Sequence, residues 1–552
     1  MDIRRLILIT IFSFSLVMLW EAWIKRNQPP QLPTAAQSAQ TAGVPSGSAS
    51  APAATTTSVG ATPQENATDR HKAPRVIVET DLMRAEISAV GGDIVKLELL
   101  KHGQTGAPDK PFVLFDDGSL GHDYFAQSGL IGEGLPNHNT VYALPAGKRV
   151  LAAGQDVVEV RLDAPVGTNG VKASKILRFH RGSYLIDVVH ELENGGAATV
   201  PVQAYFKFSR DEKAAEAKSG YFGAQTFTGP AFYSESGKYK KVSFEDITKG
   251  KAKLPEPAGD GWVAMVQHYF VGAFLPKAGQ REFFVQDLGN GMASAGVKLA
   301  PTQLAAGQKT SVEAELYAGP QEQKKLAALA PGLDLVVDYG WLTVIAAPLF
   351  WVLSFLHKLV QNWGWAIIAL TVLLKLVFFP LSAASYKSMA KMKNIMPRMK
   401  RIQEQYKDDR MKMNQEMMEL YKKEKVNPMG GCWPMLIQMP VFIALYWVLL
   451  GAVEMRQAPW LGWITDLSIK DPYFILPIIM GVTSLVQVKL NPPPPDPTQA
   501  KVMMMMPLVF TVMMAWFPAG LVVYWTVNNL LSIAQQWYIT RMINGGSKPA
   551  NA

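Results

Sequence analysis

The sequence contains a single cysteine, Cys432, so no disulfide can form within the chain and an exported domain must fold on its hydrophobic core. Its eight histidines are scattered and form no Cys/His cluster, so we expect neither a metal nor a cofactor. There is also no catalytic triad, no paired-carboxylate signature and no glycine-rich phosphate loop. We therefore expect a protein that is not an enzyme and that hydrolyses no nucleotide.

Acidic residues are missing from several apolar runs that are long enough to cross a bilayer. The chain has 552 residues, 49% of them hydrophobic, which predicts a polytopic membrane protein with a large soluble insert. Much of its net charge of +9 lies at the N-terminus and in 386–425. Basic clusters beside spans first set orientation and only then attract anionic lipid or RNA.

Loop charges predict six spans with both chain ends in the cytoplasm. The first is an uncleaved anchor, because tryptophans follow its apolar run where a cleavage site needs small residues. In chain order the predicted segments are the anchor (1–26), a disordered periplasmic tether (27–74), a periplasmic β domain (75–330), an amphipathic helix on the outer membrane surface (331–361), the second span (362–381), a cytoplasmic helical hairpin (382–432), the third span (433–451), a periplasmic loop (452–471), the fourth span (472–488), a cytoplasmic loop (489–502), the fifth span (503–517), the sixth span (521–541) and a cytoplasmic tail (542–552).

The insert at 75–330 shows the alternation of β-strands. Val158, Val160 and Leu162 alternate with Glu159 and Arg161, and similar runs are separated by Gly, Pro, Asn and Asp turns. This pattern predicts a large antiparallel β-sandwich. A sandwich can serve as a structural or docking domain, or it can bind sugars or peptides, and no residue here singles out a site.

One ionisable residue, Lys375, lies inside the second predicted span. A lysine at the bilayer centre costs roughly 2.5–3.5 kcal/mol, so it needs a physical reason. Thr371 lies four residues earlier and shares its helix face. One interpretation is that Lys375 extends its ammonium group to the cytoplasmic interface. The other is that this face borders a hydrated cavity in the membrane.

Three further spans carry polar stripes, and none of them contains an acid to neutralise the lysine. The stripes consist of Gln438 in the third span, Thr483 and Gln487 in the fourth, and Trp525, Asn528, Asn529, Ser532, Gln535 and Gln536 in the sixth. Hydrogen bonds between helices explain part of this pattern. They do not explain an unpaired cation, for which we expect a positive, water-filled groove.

Methionines recur at helical spacing in the cytoplasmic segment 382–432. They are Met389, Met392, Met396 and Met399, followed by Met413 and Met417. The spacing predicts two helices that meet along these stripes. The methionines fill that seam or, alternatively, offer a soft apolar surface to varied chains. The basic face could also contact ribosomal RNA, although interleaved aromatic residues are missing.

Four stretches of the helical region together carry a family resemblance: 424–449 (EKVNPMGGCWPMLIQMPVFIALYWVL), 454–460 (EMRQAPW), 471–483 (DPYFILPIIMGVT) and 517–536 (FPAGLVVYWTVNNLLSIAQQ). They resemble the YidC/Oxa/Alb family of membrane protein insertases. The N-terminal anchor and large insert are similar to the Gram-negative form. The resemblance implies a six-span bundle, made of a five-helix insertase core and the anchor, with a periplasmic β-supersandwich and a cytoplasmic helical hairpin.

The resemblance also implies a function. The family has a groove that is open to the cytoplasm and the lipid, with a cation at the position of Lys375 and a threonine at Thr371. That cation is usually arginine, and lysine lacks its planar five-donor fork; Trp525 stands where tyrosine is common. The implied protein lies in the bacterial inner membrane and inserts nascent membrane proteins. Its implied partners are the ribosome, the Sec translocon with its accessory subunits, and lipids, but not DNA.

Two other classes of function remain as alternatives. A transporter could use Lys375 to bind an anion, but the sequence shows no inverted repeat and no pair of interrupted helices. A sensor or an enzyme could act on envelope glycans through the β domain.

Overall fold

The computed structural model describes residues 62–64, 70–212, 226–407, 409–424, 433–491 and 497–545. The predicted anchor (1–26), most of the tether (27–74) and most of the C-terminal tail (542–552) lie outside these residues, as do 425–432 in the hairpin and 492–496 in the cytoplasmic loop. The described chain consists of a β domain that ends at Pro320 and a helical region that follows it.

The β domain is built from strands and one short helix. Along the strand Val157–Asp163 the burial alternates strictly, with Val158, Val160 and Leu162 inside, as the sequence pattern predicts. Within the described residues the strands are β1 (Arg75–Glu79), β2 (Met83–Ser88), β3 (Ile94–Gln104), β4 (Ala107–Asp117), β5 (Asp123–Ile131), β6 (Arg149–Val150), β7 (Val157–Asp163), β8 (Val171–His180), β9 (Leu185–Asn194), β10 (Val200–Asp211), β11 (Gly229–Tyr233), β12 (Lys240–Lys241), β13 (Trp262–Gln267), β14 (Phe270–Pro276), β15 (Arg281–Gly289), β16 (Met292–Leu299), β17 (Thr302–Leu304) and β18 (Lys309–Pro320), with helix α1 (Phe244–Thr248) between β12 and β13.

These strands form two sheets. The first has the order β15-β16-β10-β5-β4-β3-β2-β1-β6, with β17 beside β10, and the second has the order β12-β11-β13-β14-β18-β9-β8-β7. Nearly all pairings are antiparallel; β1 and β6 form a parallel pair. The predicted β-sandwich is therefore confirmed.

The core of the β domain lies between the two sheets. The rings of Phe208 and Phe274, one from each sheet, have centroids 4.8 Å apart, and the Tyr124 hydroxyl donates to the Met265 carbonyl at 3.2 Å. A buried ion pair also crosses the core, with Lys175 Nζ 3.6 Å from Asp93 Oδ1. Aromatic burial and these polar contacts hold the sheets in one alignment.

The helical region follows β18. Its described helices are α2 (Gln323–Leu329), α3 (Thr343–Val360), α4 (Trp363–Val377), α5 (Phe379–Gln405), α6 (Arg410–Lys423), α7 (Trp433–Gly451), α8 (Ile475–Leu490), α9 (Pro497–Met514) and α10 (Ala519–Gly545). Helix α10 packs against α4, α5 and α8, while α3 packs against α4 and α7. Helix α8 also lies close to α9, where a Cβ on Gly481 would come within 2.3 Å of the Thr511 hydroxyl.

Local side chains determine where the important helices begin. The Asn362 side chain accepts a hydrogen bond from the Trp365 N–H at 3.2 Å and so caps α4. The Asp471 carboxylate accepts from the N–H groups of Tyr473 and Leu476 and from the Trp463 indole, which fixes the start of α8. Helix α4 ends at Val377, and Pro380 lies in the first turn of α5, where a proline is tolerated.

Length and composition identify only part of the predicted membrane topology within the described residues. Helix α3 is long and apolar enough to cross a membrane, and α4 with α5 qualifies as a second such element with a 65° bend between the two helices. Three shorter apolar helices occur at Ile437–Gly451, Ile475–Leu490 and Ala500–Met514. The six-span count and the interfacial position of 331–361 stay predictions.

Candidate functional site

Lys375 lies in the last turn of α4 and faces α10. Only 8% of its side chain is exposed, and its Nζ donates a hydrogen bond to Ser532 Oγ at 2.7 Å. No carboxylate in the described ranges forms an ion pair with it. The cation is therefore covered by the neighbouring helix α10.

A chain of hydrogen bonds continues from Lys375 across three helices. Ser532 Oγ donates to the Asn528 carbonyl one turn earlier at 2.7 Å, and Asn528 Oδ1 accepts from Gln438 Nε2 of α7, also at 2.7 Å. Gln535 Nε2 lies 3.5 Å from the Lys375 carbonyl oxygen. We call Lys375, Gln438, Asn528, Ser532 and Gln535 the lysine cluster. It unites five of the predicted groove residues.

Thr371 shares the buried face of α4 but makes no hydrogen bond to the lysine cluster. Its hydroxyl donates to the Ile367 carbonyl of its own helix at 2.7 Å, and 1% of the residue is exposed. Hydroxyls one turn along a helix commonly bond back in this way. The sequence identifies the correct face, but it does not reveal that this hydroxyl is already paired.

A second polar cluster lies on the other side of α10, against α8. Asn529 Nδ2 donates to Ser484 Oγ at 2.7 Å and to Thr483 Oγ1 at 3.2 Å. Further along α10, Gln536 Nε2 donates to Asn491 Oδ1 at 3.1 Å. The polar stripe of α10 is thus divided between two neighbouring helices. The predicted residue Thr483 belongs to this cluster and not to the lysine cluster.

Two other predicted residues occupy different surroundings. Gln487 is half-buried on α8 and forms no hydrogen bond within the described ranges. Trp525 packs in an aromatic cluster, with its ring centroid 4.6 Å from that of Phe442 on α7 and 4.7 Å from that of Phe510 on α9. Trp525 therefore joins three helices by packing.

Tyr386 is a residue of this site that sequence reasoning missed. It lies on α5, and its hydroxyl donates to the Ser532 carbonyl at 3.4 Å. The bend between α4 and α5 brings the first turns of α5 back against α10, where Ser382 and Ser385 are also buried. No periodicity signals this contact, because it depends on the bend angle and not on spacing.

The methionine stripes of α5 and α6 are partly buried and partly accessible. Ile395 and Met399 are buried, and Met392, Met417, Leu420 and Tyr421 pack against them. Met389, Met396 and Met413 are half-exposed, and two methionines outside the predicted set, Met411 and Met418, are exposed. The buried methionines fill the seam between the two helices, and contact of the accessible methionines with other chains stays a prediction.

Comparisons with known proteins cover nearly the whole described chain. Residues 75–352 match the family model described as the YidC periplasmic domain, and residues 355–546 match the one described as 60Kd inner membrane protein. Proteins named membrane protein insertase YidC are 61% identical in Aromatoleum aromaticum, over 100% of both chains, and 54% identical in Dechloromonas aromatica, over 100% of this chain and 99% of the relative. The predicted family is therefore confirmed: the chain belongs to the YidC family of membrane protein insertases.

Proposed function

We propose that this protein inserts nascent membrane proteins from the cytoplasm into the bacterial inner membrane through a hydrophilic, positively charged groove that contains the lysine cluster. Its β domain lies in the periplasm, and both chain ends lie in the cytoplasm. The observation that carries the proposal is the hydrogen bond from buried Lys375 to a hydroxyl, with no acid among the described residues to neutralise the cation.

The partner of Lys375 suggests how a client segment is captured. A neutral hydroxyl is a weaker acceptor for an ammonium group than a carboxylate is, because the carboxylate adds the Coulomb attraction of a full opposite charge. An acidic side chain of a client can therefore replace Ser532 as the acceptor when α4 and α10 separate. Lowering the cost of moving polar groups through hydrocarbon requires no covalent step.

Two unpaired acceptors support a hydrated groove. The side-chain oxygens of Gln535 and Gln536 are buried and have no hydrogen-bond partner among the described residues. Buried polar atoms in proteins are almost always paired, often with water. Water that enters along α10 would satisfy both oxygens and would also solvate the backbone of a client. The apolar part of the client then leaves sideways into lipid.

The cytoplasmic helices α5 and α6 provide the first contact with a client. Methionine is flexible and polarisable, so exposed methionines such as Met411 and Met418 suit apolar segments of varied sequence. The basic charge of the same segment suits the ribosome. We further propose that the protein acts alone or together with the Sec translocon and its accessory subunits.

Charge reversal at Lys375 tests electrostatic capture. The client is a small single-span protein in two versions, one with an acidic translocated tail and one with the same acids changed to amides. We expect Lys375→Glu to reduce insertion of the acidic version selectively and Lys375→Arg to retain it, with protease protection in membrane vesicles as the measurement. Lys489→Glu, at an exposed lysine, is the matched control. Equal insertion of the acidic version by Lys375→Glu and the native protein would disprove capture.

A further inference from the structure

Besides contacts with the chain that directly follows β18, the β domain contacts the helical region through the C-terminal end of α7 and the segment after it. We call this stretch, Leu450–Gln457, the docking loop. The Arg456 guanidinium carbon lies 5.4 Å from the ring centroids of both Phe112 on β4 and Phe270 on β14. Its Nη2 donates to the Gly103 carbonyl of β3. One side chain of the docking loop therefore contacts three strands of the β domain, from both sheets.

The next residue binds the same backbone segment from the other side. The Gly103 N–H donates to Gln457 Oε1 at 3.1 Å, so both polar atoms of Gly103 pair with consecutive residues of the docking loop. A Cβ on Gly103 would lie 2.1 Å from the Pro108 carbonyl oxygen and 2.6 Å from Gln457 Nε2, and the backbone contact leaves no room for a side chain. Gln457 has a φ of 57°, a left-handed conformation that a non-glycine residue keeps only where its surroundings hold it.

A second contact involves the start of the docking loop. His268, in the turn between β13 and β14, donates from Nε2 to the Leu450 carbonyl at 2.9 Å. The two contacts lie at opposite ends of the docking loop. A single contact would act as a pivot, whereas two separated contacts also prevent rotation about it.

The aromatic rings compensate for the burial of the arginine. Arg456 Nη1 is buried and has no hydrogen-bond partner among the described residues. An unpaired cationic donor is costly away from water unless another group stabilises its charge. The faces of Phe112 and Phe270 do so through cation–π attraction, which strengthens when water is excluded. Lysine would lose both the planar stacking and the directed donation to Gly103.

We propose that Arg456 is a positioning residue that fixes the orientation of the β domain on the helical region, so that the two move as one body. Domains joined by a short connection usually move relative to each other unless specific contacts hold them. A partner that bound the β domain would then be held at a fixed place relative to the lysine cluster. This inference does not depend on the proposed insertion mechanism.

Distance measurement between spin labels tests the proposal in the full-length protein in lipid nanodiscs. Cys432→Ser removes the only native cysteine, and Leu120→Cys and Tyr473→Cys place labels at exposed sites in the β domain and the helical region. We expect one narrow distance peak. Arg456→Ala removes the docking-loop partner of the contact, and Phe112→Leu removes a ring on the β-domain side. Each variant should give a broad distribution of distances in place of the narrow peak. Arg149→Ala, at an exposed arginine of the β domain, should leave the peak unchanged.

Three results would overturn the proposal. One is a narrow peak in both Arg456→Ala and Phe112→Leu. Another is a broad distribution in Arg149→Ala. The third is broadening that accompanies loss of β-sheet circular dichroism, because Arg456 would then be needed for folding and not for orientation.

Discussion

At the scale of single residues, Ser532 is the hydrogen-bond partner of a buried cation. Ser532→Ala would leave the Lys375 ammonium without its acceptor, which typically costs about 1–3 kcal/mol of the free energy of unfolding. Adding Lys375→Met should recover most of this loss, since removing both partners of a buried polar pair is often nearly neutral. Unfolding of the three variants in detergent checks this. If Ser532→Ala has the same free energy of unfolding as the native protein, the hydrogen bond from Lys375 to Ser532 does not stabilise the buried cation.

Glu454, in the docking loop, should make the stability of the protein depend on pH. Burial raises the pKa of its carboxyl to about 7, with further contributions from Glu322, which raises it, and from Lys324 and Lys325, which lower it. Because the folded pKa lies above the ordinary value of 4.5, the folded state binds the proton more tightly. Stability should therefore fall as pH rises from 4.5 to 7.

The variant Glu454→Gln should lose this pH dependence and unfold at a higher temperature than the native protein at pH 8. Thermal unfolding followed at pH 5 and pH 8 measures the difference. Glu256→Gln, at an exposed position of the β domain, serves as the control and should behave as the native protein does. If the unfolding temperature of Glu454→Gln depends on pH as that of the native protein does, a group other than Glu454 causes the dependence.

At the scale of elements, the methionines of α5 and α6 fall into a buried and an exposed class. Met399→Ala should destabilise the pair of helices by about 2–5 kcal/mol, because Met399 is buried in their seam. Met411→Ala should change stability by no more than about 0.5 kcal/mol, since Met411 is 85% exposed. Hydrogen exchange of α5 and α6 distinguishes the two. If the amides of α5 and α6 are equally protected from exchange in Met399→Ala and Met411→Ala, Met399 does not stabilise the seam between the two helices.

The elements themselves were largely predictable from the sequence. Period-two alternation at Val158, Val160 and Leu162 identified β7, and similar runs predicted the β-sandwich. This was possible because a strand with one buried face has an apolar residue at every second position. Polar spacing likewise identified the stripe of α10. It could not show that Ser532 faces α4 while Asn529 faces α8. Which neighbour a helix face meets depends on packing between distant segments.

Other parts of the site depend on geometry that leaves no periodic signal. Tyr386 reaches Ser532 only because α4 and α5 meet at a bend of 65°. Thr371 lies on the expected face, but its hydroxyl pairs with its own helix. Arg456 belongs to a stretch used to identify the family, yet nothing in its spacing indicates the rings of Phe112 and Phe270 far earlier in the chain.

At the scale of the whole molecule, the lysine cluster and the β domain are separable. The residues of the lysine cluster belong to α4, α7 and α10, and their hydrogen bonds involve no strand. Deleting residues 75–320 should therefore leave insertion of simple clients largely intact, as measured by protease protection. Complete loss of insertion would favour the alternative in which the β domain carries the activity.

The central claim is that water and client polar groups reach the lysine cluster from the cytoplasm. Cysteine labelling in the Cys432→Ser background tests it most directly. Ser532→Cys should react with a water-soluble maleimide added from the cytoplasmic side, and faster when a ribosome-stalled client is engaged. Leu376→Cys, next to Lys375 but 64% exposed on the outer face of α4, should stay unlabelled because that face meets lipid. If Ser532→Cys is as unreactive as Leu376→Cys with and without client, the hydrated groove is wrong.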